Sequence, residues 1–296
     1  MSEIRGAVAV ITGAASGIGR ALAKEMAARG AELALADVNS AALEETRQVL
    51  GAVRARTYAV DVADAAAVAR FAEDVQRDFG RASLLINNAG VALYGTFAEI
   101  SLADMDWLMR INFWGVVHGC KFFLPLLGRD LDARIVNISS VFGLFGPPGQ
   151  SAYCASKYAV RGFSESLREE LRATGVKVTC VHPAGIATRI ADNARAGAAT
   201  HSADQALARE LFAKVAVITP EEAARVIVKG IADNRDRVLI GKDAYYIDRL
   251  QRLFPARATA MLTAWMQKRA GIEVDSSATS GVSDKNDDSR PSRSAF

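Results

Sequence analysis

The chain has 296 residues, half of them hydrophobic, and its 36 basic and 33 acidic residues leave a formal net charge of +3. This length and composition suit one large α/β domain or two small ones with a sizeable core. The basic residues form no runs, which argues against a nucleic-acid-binding surface, and no apolar stretch reaches transmembrane length.

The amino terminus and the cysteines predict a cytoplasmic protein. Residues 1–6 lead straight into a predicted strand and leave no room for a signal peptide. Cys120, Cys154 and Cys180 lie in apolar segments without metal-site spacing. We therefore expect reduced thiols in the core and no bound metal.

A glycine-rich turn joins the first predicted strand, residues 7–11, to the first predicted helix, residues 20–28. Such a turn at a helix N-terminus binds dinucleotide phosphates through backbone N–H groups. Its first glycine would allow the tight turn, its second the close approach of a pyrophosphate, and its third close packing of helix on strand. The predicted contacts are Gly13, Ser16, Gly17, Ile18 and Gly19.

An acidic residue follows the second predicted strand, residues 32–36. Asp37 stands eighteen residues after the last glycine of the turn. At about this offset a carboxylate binds the adenosine ribose 2′-hydroxyl of NAD and repels the extra phosphate of NADP. The neighbouring Ser16 and Val38 offer no cation for that phosphate, although Arg20 could reach it. The sequence therefore favours NAD and leaves NADP open.

Strands and helices alternate along the rest of the chain. Further predicted strands cover residues 56–60, 84–86, 134–139, 176–181 and 237–240. This alternation predicts an α/β fold, a single-domain Rossmann-type doubly wound parallel sheet of about seven strands with helices on both faces. Residues 189–214 show no core face over most of their length, and we predict a mobile flap there.

The segment from Ser140 to Lys157 carries the groups best suited to catalysis. It begins where a predicted strand ends, passes through a Gly/Pro loop, and closes on Tyr153 and Lys157, which share one helix face. A hydroxyl facing a phenol with an ammonium beside it could transfer protons. Lys157 would lower the pKa of Tyr153 from about 10. Alone, a tyrosine–lysine pair on a helix is more often structural, so it needs supporting motifs.

Asn112 falls inside the long helical pattern that follows Ser101. Asparagine is unfavourable in a helix interior, so we expect its amide to meet a partner. An exposed or bulged position is the alternative.

The chain ends in an amphipathic segment and a polar tail. Apolar residues recur over residues 244–269 among arginines and lysines, and Pro255 is expected to break this stretch into two helices. The segment could cover a pocket, pack against its own chain or a partner, or lie on a membrane surface. We divide the chain into a catalytic domain (1–243), a helical extension (244–272) and a disordered tail (273–296).

Together these motifs resemble the short-chain dehydrogenase/reductase family from about Gly6 to Gly241. The motifs are Thr12-Gly13-x-x-x-Gly17-Ile18-Gly19, Asn87-Asn88-Ala89-Gly90, Asn112, Ser140 and Tyr153-x-x-x-Lys157. Five separated elements in this order make the resemblance specific. It implies that Ser140, rather than Ser139, is the catalytic serine.

The resemblance implies a role for each of these groups. Tyr153 would be the general base of alcohol oxidation and the general acid of the reverse reaction, as hydride moves between substrate and nicotinamide. Ser140 would orient the substrate oxygen. Lys157 would bind the nicotinamide ribose, and Asn112 would anchor a water that links Lys157 to solvent.

The resemblance also implies further cofactor contacts. They are Asp61 and Val62 beside the adenine, Asn88, Ala89 and Gly90 around the ribose, and Pro183, Ile186 and Thr188 towards the carboxamide. The family's Pro-Gly is Pro183-Ala184 in this chain, with Gly185 one position later. That departure could shift the loop.

The expected activity is hydride transfer between NAD(H) and a hydrophobic secondary alcohol or ketone. The nearly uncharged residues around the catalytic segment suit a lipophilic ligand, and the predicted pocket is Leu93, Tyr94, Phe142, Leu144, Phe145 and Ile190. An NADPH-dependent carbonyl reductase is the alternative within this class. A non-catalytic dinucleotide-binding regulator or scaffold is the alternative outside it. The resemblance also implies a homodimer or homotetramer. The amino terminus and the cysteines predict a cytoplasmic location, and residues 244–269 leave peripheral membrane contact open.

Overall fold

The computed structural model describes residues 4–128 and 132–270, in which strands and helices alternate. The strands are β1 (Val8–Thr12), β2 (Glu32–Asp37), β3 (Ala55–Ala59), β4 (Leu84–Asn87), β5 (Leu93–Tyr94), β6 (Arg134–Ile138), β7 (Lys177–Pro183), β8 (Arg195–Ala196) and β9 (Arg237–Ile240).

The α-helices alternate with these strands and continue after the last one. They are α1 (Gly17–Ala28), α2 (Ser40–Gln48), α3 (Ala65–Phe79), α4 (Leu102–Met109), α5 (Gly115–Leu127), α6 (Ser151–Glu170), α7 (Ser202–Val215), α8 (Pro220–Ala232), α9 (Lys242–Leu253) and α10 (Ala258–Ala270). A π-helical turn (Arg110–Trp114) joins α4 to α5, and a 3-10 turn (Val141–Gly143) follows β6.

Seven strands form one parallel sheet in the order β3-β2-β1-β4-β6-β7-β9. This confirms the predicted doubly wound sheet. The chain runs outward from β1 to β3 and then returns to β4 on the other side of β1. In open α/β sheets a ligand crevice forms at the carboxyl ends of the strands, at the point where the order reverses. Here that point lies between β1 and β4.

Helices cover both faces of the sheet. One apolar cluster joins the strands to α1 and α8, and another joins them to α3, α5 and α6. Strands buried on both faces have nearly continuous apolar sequences, which explains why β1, β4 and β6 are buried throughout. The three cysteines are buried and unpaired, as predicted.

The predicted flap, residues 189–214, has more regular structure than expected. It contains β8, which pairs with β5, and most of α7. The Arg195 guanidinium lies 4.0 Å from the centre of the Trp107 ring and 3.4 Å from Asp104. The sequence pattern missed this structure because main-chain hydrogen bonds and a cation–π contact hold β8, and neither leaves an apolar periodicity.

Two helices, α9 and α10, form the carboxyl-terminal part of the described chain and are separated at the predicted break. Ala244, Ile247, Ala258 and Leu262 are buried in one cluster with residues of the loop after β6. The extension therefore packs against its own chain. Within residues 4–128 and 132–270, no helix has both the length and the apolar composition needed to cross a bilayer. The tail, 273–296, lies outside the described residues.

Candidate active site

A cavity of about 660 Å³ lies at the carboxyl ends of the strands. It is continuous from the end of β2 to the amino-terminal turn of α6. Most of the residues predicted from the sequence line it: Gly13, Ser16, Gly17, Ile18, Asp37, Val38, Asp61, Val62, Asn88, Ala89, Gly90, Tyr94, Ser140, Phe142, Phe145, Tyr153, Lys157, Pro183, Ile186, Thr188 and Ile190.

The glycine turn is packed so tightly that side chains could not replace its glycines. Gly13 has a positive φ of 67°, and a Cβ there would lie 2.8 Å from the Cα of Ala89. A Cβ on Gly19 would lie 2.0 Å from the carbonyl oxygen of Gly13, which accounts for its position behind the cavity wall. The Ser16 side chain makes no capping bond, so the first N–H groups of α1 are available to a phosphate.

Asn88 locks the glycine turn to the end of β4. Its Nδ2 donates to the carbonyl oxygens of Thr12, at 3.0 Å, and Gly13, at 3.1 Å. In return, Thr12 Oγ1 accepts from the backbone N–H groups of Asn88 and Ala89. Two neighbouring strand ends thus form one rigid support for a flat ligand, and the residues fit a dinucleotide.

The carboxylate of Asp37 is held at the end of β2. It accepts hydrogen bonds from the backbone N–H groups of Ala15, at 3.0 Å, and Asn39, at 2.9 Å. Arg20 is directed towards α2, where it donates to Thr46 Oγ1 at 2.9 Å and pairs with Glu45 at 3.2 Å. The cation considered for a 2′-phosphate is therefore engaged elsewhere.

Ser140, Tyr153 and Lys157 come together where β6 meets α6. The Lys157 Nζ donates to the carbonyl oxygen of Ile138 at 3.1 Å and lies 5.7 Å from the centre of the Tyr153 ring. Ser140 Oγ accepts from the backbone N–H of Phe142 at 3.1 Å, and its hydroxyl is within hydrogen-bonding reach of the Tyr153 phenol. The arrangement places a hydroxyl, a phenol and an amine at one end of the cavity.

The predicted lowering of the Tyr153 pKa is wrong for the protein alone. Burial raises the pKa of Tyr153 to about 12, and the hydrogen bond with Ser140 offsets only part of this effect. Burial also lowers the pKa of Lys157 to about 8. Lowering the tyrosine pKa would require a close charge, but the Lys157 amine contacts the Ile138 carbonyl and lies beside the ring.

Asn112 sits inside the π-helical turn and is fully buried. Its Oδ1 accepts from the backbone N–H of Val91 at 2.9 Å, and its Nδ2 donates to the Val91 carbonyl at 3.0 Å and to Ser156 Oγ at 3.2 Å. The amide thus has partners, as expected, and it also lies in a π-helical bulge, which was the alternative. These contacts fix the loop after β4 against α6.

Two predicted pocket residues are not in the cavity wall. Leu93 and Leu144 are buried in separate core clusters. The sequence predicted both residues near the cavity but could not give the direction of either side chain, Leu93 in the short strand β5 and Leu144 in the loop after β6. The glycine of the proline–glycine motif stands one position later, at Gly185. A Cβ at this position would lie 2.4 Å from the Val215 carbonyl oxygen, so a side chain does not fit there.

Another part of the cavity wall was not predicted from the sequence. Some of it comes from the loops before α6 and before β8, and the rest from the helices α7, α9 and α10. These residues are Gln150, Asn193, Phe212, Val215, Asp243, Ile247, Trp265 and Met266. The amphipathic pattern of residues 244–269 was the available signal, but it could not indicate which apolar face met the cavity.

Comparisons with known proteins agree with this geometry. A family model described as short chain dehydrogenase matches residues 7–199. A Mycobacterium tuberculosis protein named "Putative oxidoreductase SadH" is 43% identical over 274 residues, covering 90% of this chain and 98% of its own. Mouse epidermal retinol dehydrogenase 2 is 33% identical over 270 residues, covering 89% and 83%.

The solved structures similar to this chain include dinucleotide complexes. A short chain dehydrogenase/reductase from Burkholderia phymatum in complex with NAD is 34% identical, with a TM-score of 0.79, and the match covers 86% of this chain and 95% of the other. A short chain dehydrogenase from Mycobacterium paratuberculosis bound to NAD is 26% identical, with a TM-score of 0.72 and coverages of 82% and 99%.

The buried amine of Lys157 is expected to destabilise the fold at neutral pH. Its pKa falls from an ordinary 10.5 to about 8, so between these values the unfolded chain binds more protons and stability rises with pH. Lys157→Met should therefore raise the free energy of unfolding at pH 7 by about 3 kcal/mol. The gap to wild type should close as the pH rises from 8 to 10.5.

Urea unfolding at a series of pH values measures this gap. Lys121→Met, which removes an exposed lysine from α5, is the control and should show no such pH-dependent gap. If the difference in free energy of unfolding between Lys157→Met and wild type stays constant or widens with pH, the lowered pKa of Lys157 is contradicted.

Proposed function

The chain belongs to the short-chain dehydrogenase family, and on that premise we propose that it is an NAD-dependent oxidoreductase interconverting hydrophobic secondary alcohols and ketones. The observation that carries the proposal is the single cavity that joins the glycine turn and Asp37 to Ser140, Tyr153 and Lys157. When bound, the nicotinamide of NAD(H) supplies the hydride acceptor or donor.

The catalytic side chains would move the proton and hold the substrate. In alcohol oxidation, the phenolate of Tyr153 takes the hydroxyl proton as the C–H hydride leaves, and Ser140 donates a hydrogen bond to the same oxygen. In ketone reduction, Tyr153 returns the proton. At neutral pH the phenol of Tyr153, whose pKa burial raises to about 12, is protonated, so it holds the proton that reduction requires, whereas oxidation requires its pKa to be lowered. Lys157 would bind the ribose hydroxyls, and Asn112 would anchor the water that links this amine to solvent.

Cofactor choice would depend on Asp37. A carboxylate at the end of β2 accepts hydrogen bonds from ribose hydroxyls and repels a 2′-phosphate. Arg20 is committed to Thr46 and Glu45. The NAD complexes of similar structures agree with this choice. We propose the other predicted cofactor contacts in the roles that the resemblance implies.

The proposed substrate class follows from the wall beyond Tyr153. Phe142, Ile190, Ile247, Trp265 and Met266 present mainly apolar surface there. A wall of this kind favours a lipophilic ligand, and a few polar groups orient its reacting oxygen. The name of the mouse relative, a retinol dehydrogenase, refers to a lipophilic alcohol.

Removing the phenolic hydroxyl tests whether the cavity is catalytic. Tyr153→Phe is expected to lower kcat by about 10²–10⁴-fold, because the proton donor is lost, while NADH binding stays close to that of wild type. Initial rates with a panel of ketones and alcohols and an NADH fluorescence titration measure both effects. A fully active Tyr153→Phe protein would contradict the mechanism, and a wild type that prefers NADP would contradict the role of Asp37.

Two methionines of α10 allow a matched test of the substrate class. Met266 lines the cavity, whereas Met261 is 45% exposed. Met266→Trp is expected to lower kcat/KM for long-chain ketones by about 10–100-fold and to spare the shortest ones, because the bulk fills space needed by the long chain. Met261→Trp should leave the whole chain-length profile unchanged. Equal effects of both variants on all ketones would contradict an apolar subsite at α10.

We also propose peripheral membrane contact through the corner between α9 and α10. Leu253 is 71% exposed and Phe254 is 50% exposed, and Arg252 and Arg257 flank them. Exposed apolar side chains beside arginines suit an anionic lipid surface.

For the oligomeric state, we propose a homodimer or homotetramer, because α4 and the π-helical turn present Leu102 and Trp114 to solvent.

Vesicle co-sedimentation tests the membrane contact. Leu253→Ser/Phe254→Ser should weaken binding to phosphatidylserine vesicles by about tenfold or more, since two apolar side chains no longer leave water. The control is Val49→Ser/Phe97→Ser, which removes exposed apolar side chains elsewhere. Equal binding by both variants and wild type would contradict the proposal. Point variants are preferable to truncation because buried core residues follow Asp243.

A further inference from the structure

The main chain of Ser140 is held from a neighbouring strand. The β6 ladder ends just before it, where the backbone N–H of Ser139 donates to the Val181 carbonyl at 2.8 Å. The Ser140 carbonyl oxygen then accepts from the backbone N–H of Gly143 at 2.9 Å and lies 3.1 Å from Nδ1 of His182. A side chain of β7 therefore contacts the residue that carries the catalytic hydroxyl.

His182 is fully buried near the carboxyl end of β7. Alternate residues of a strand share a face, so His182 lies on the same side of the sheet as Val178. That side is covered by α6, the helix that carries Tyr153 and Lys157. The imidazole thus lies beneath the catalytic groups, away from the cavity lining.

The tautomer of His182 follows from its partner. A carbonyl oxygen can only accept, so Nδ1 must carry the proton and donate it to Ser140. The ring is neutral, because burial lowers its pKa to about 4. The charges facing it are paired: Arg237 lies 2.6 Å from Asp248, and Arg161 lies 2.9 Å from Glu165.

The other ring nitrogen shows what the imidazole contributes. Among the described residues, Nε2 of His182 is buried without a hydrogen-bond partner. Burying an unpaired acceptor is unfavourable, and an apolar side chain of similar size would avoid the penalty. The feature that histidine adds at this position is therefore the Nδ1–H donated to Ser140.

We propose that His182 is a positioning residue for the reaction. By holding the Ser140 carbonyl from β7, it fixes the direction in which the Ser140 hydroxyl meets the substrate oxygen. The proposal rests on the proposed function, in which Ser140 orients that oxygen. It adds a residue that lies outside the cavity lining.

Two amide substitutions at His182, asparagine and glutamine, test the proposal because each places its NH2 group near a different ring nitrogen. The amide nitrogen of asparagine comes close to the place of Nδ1, whereas that of glutamine comes close to the place of Nε2. His182→Gln and His182→Leu should lower kcat for ketone reduction by about 10–100-fold, because a small misplacement of a positioning group is costly. His182→Asn should retain kcat within about threefold, and the KM for NADH should change by less than about twofold in every variant.

Two further measurements separate positioning from folding. His118→Leu removes a similar contact, that of Nδ1 with the Val62 carbonyl at 2.9 Å, and should leave kcat unchanged. In a Ser140→Ala background, His182→Leu should cause no further loss of kcat, because its effect is transmitted through Ser140. Thermal melts identify any variant that fails to fold, and the Asn–Gln pair then replaces His182→Leu, including in the Ser140→Ala background.

The outcomes distinguish this inference from the proposed function. Wild-type kcat in His182→Leu or His182→Gln would overturn the positioning role, as would equal losses in the Asn and Gln variants or additive losses in the Ser140→Ala background. If the wild type reduces no ketone and oxidises no alcohol, the proposed function fails and the role of His182 fails with it.

Discussion

The buried amine of Lys157 holds α6 against the sheet. Its Nζ donates to the carbonyl of Ile138, the last residue of β6, and Tyr153 lies one turn earlier on the same helix face. Ser140 follows two residues after Ile138. This contact and the one from His182 therefore fix the relative positions of the hydroxyl, the phenol and the amine. A buried amine weakens the fold at neutral pH, a cost often found at active sites.

The sheet and the glycine-turn end of the cavity could be predicted because the signals for them lie within short stretches of sequence. Apolar runs of strand length, a glycine turn before a helix and Asp37 after β2 each occupy a few consecutive residues, and parallel strands bring their ends to one edge. The cluster at Ser140, Tyr153 and Lys157 was predictable for the same reason, since it spans one loop and one helix turn. The fold therefore follows closely from the sequence.

The rest depends on contacts between distant segments. Leu93, in the short strand β5, and Leu144, in the loop after β6, were expected in the pocket, but both side chains are buried in core clusters. Within residues 189–214, β8 is held by its pairing with β5 and by the contact of Arg195 with Trp107. The far wall of the cavity comes from helices more than a hundred residues after Tyr94. The pKa of Tyr153 was misjudged because burial, which a sequence does not give, raises it more than the hydrogen bond with Ser140 lowers it.

Deuteride transfer tests the central claim most directly. The wild-type chain would be incubated with a lipophilic ketone and NADH carrying deuterium at C4, with each of the two stereospecifically labelled forms in turn. Mass spectrometry of the alcohol should find one deuterium on the carbinol carbon with one form and none with the other. Alcohol without label from both forms, or no alcohol at all, would contradict a catalytic site for hydride transfer.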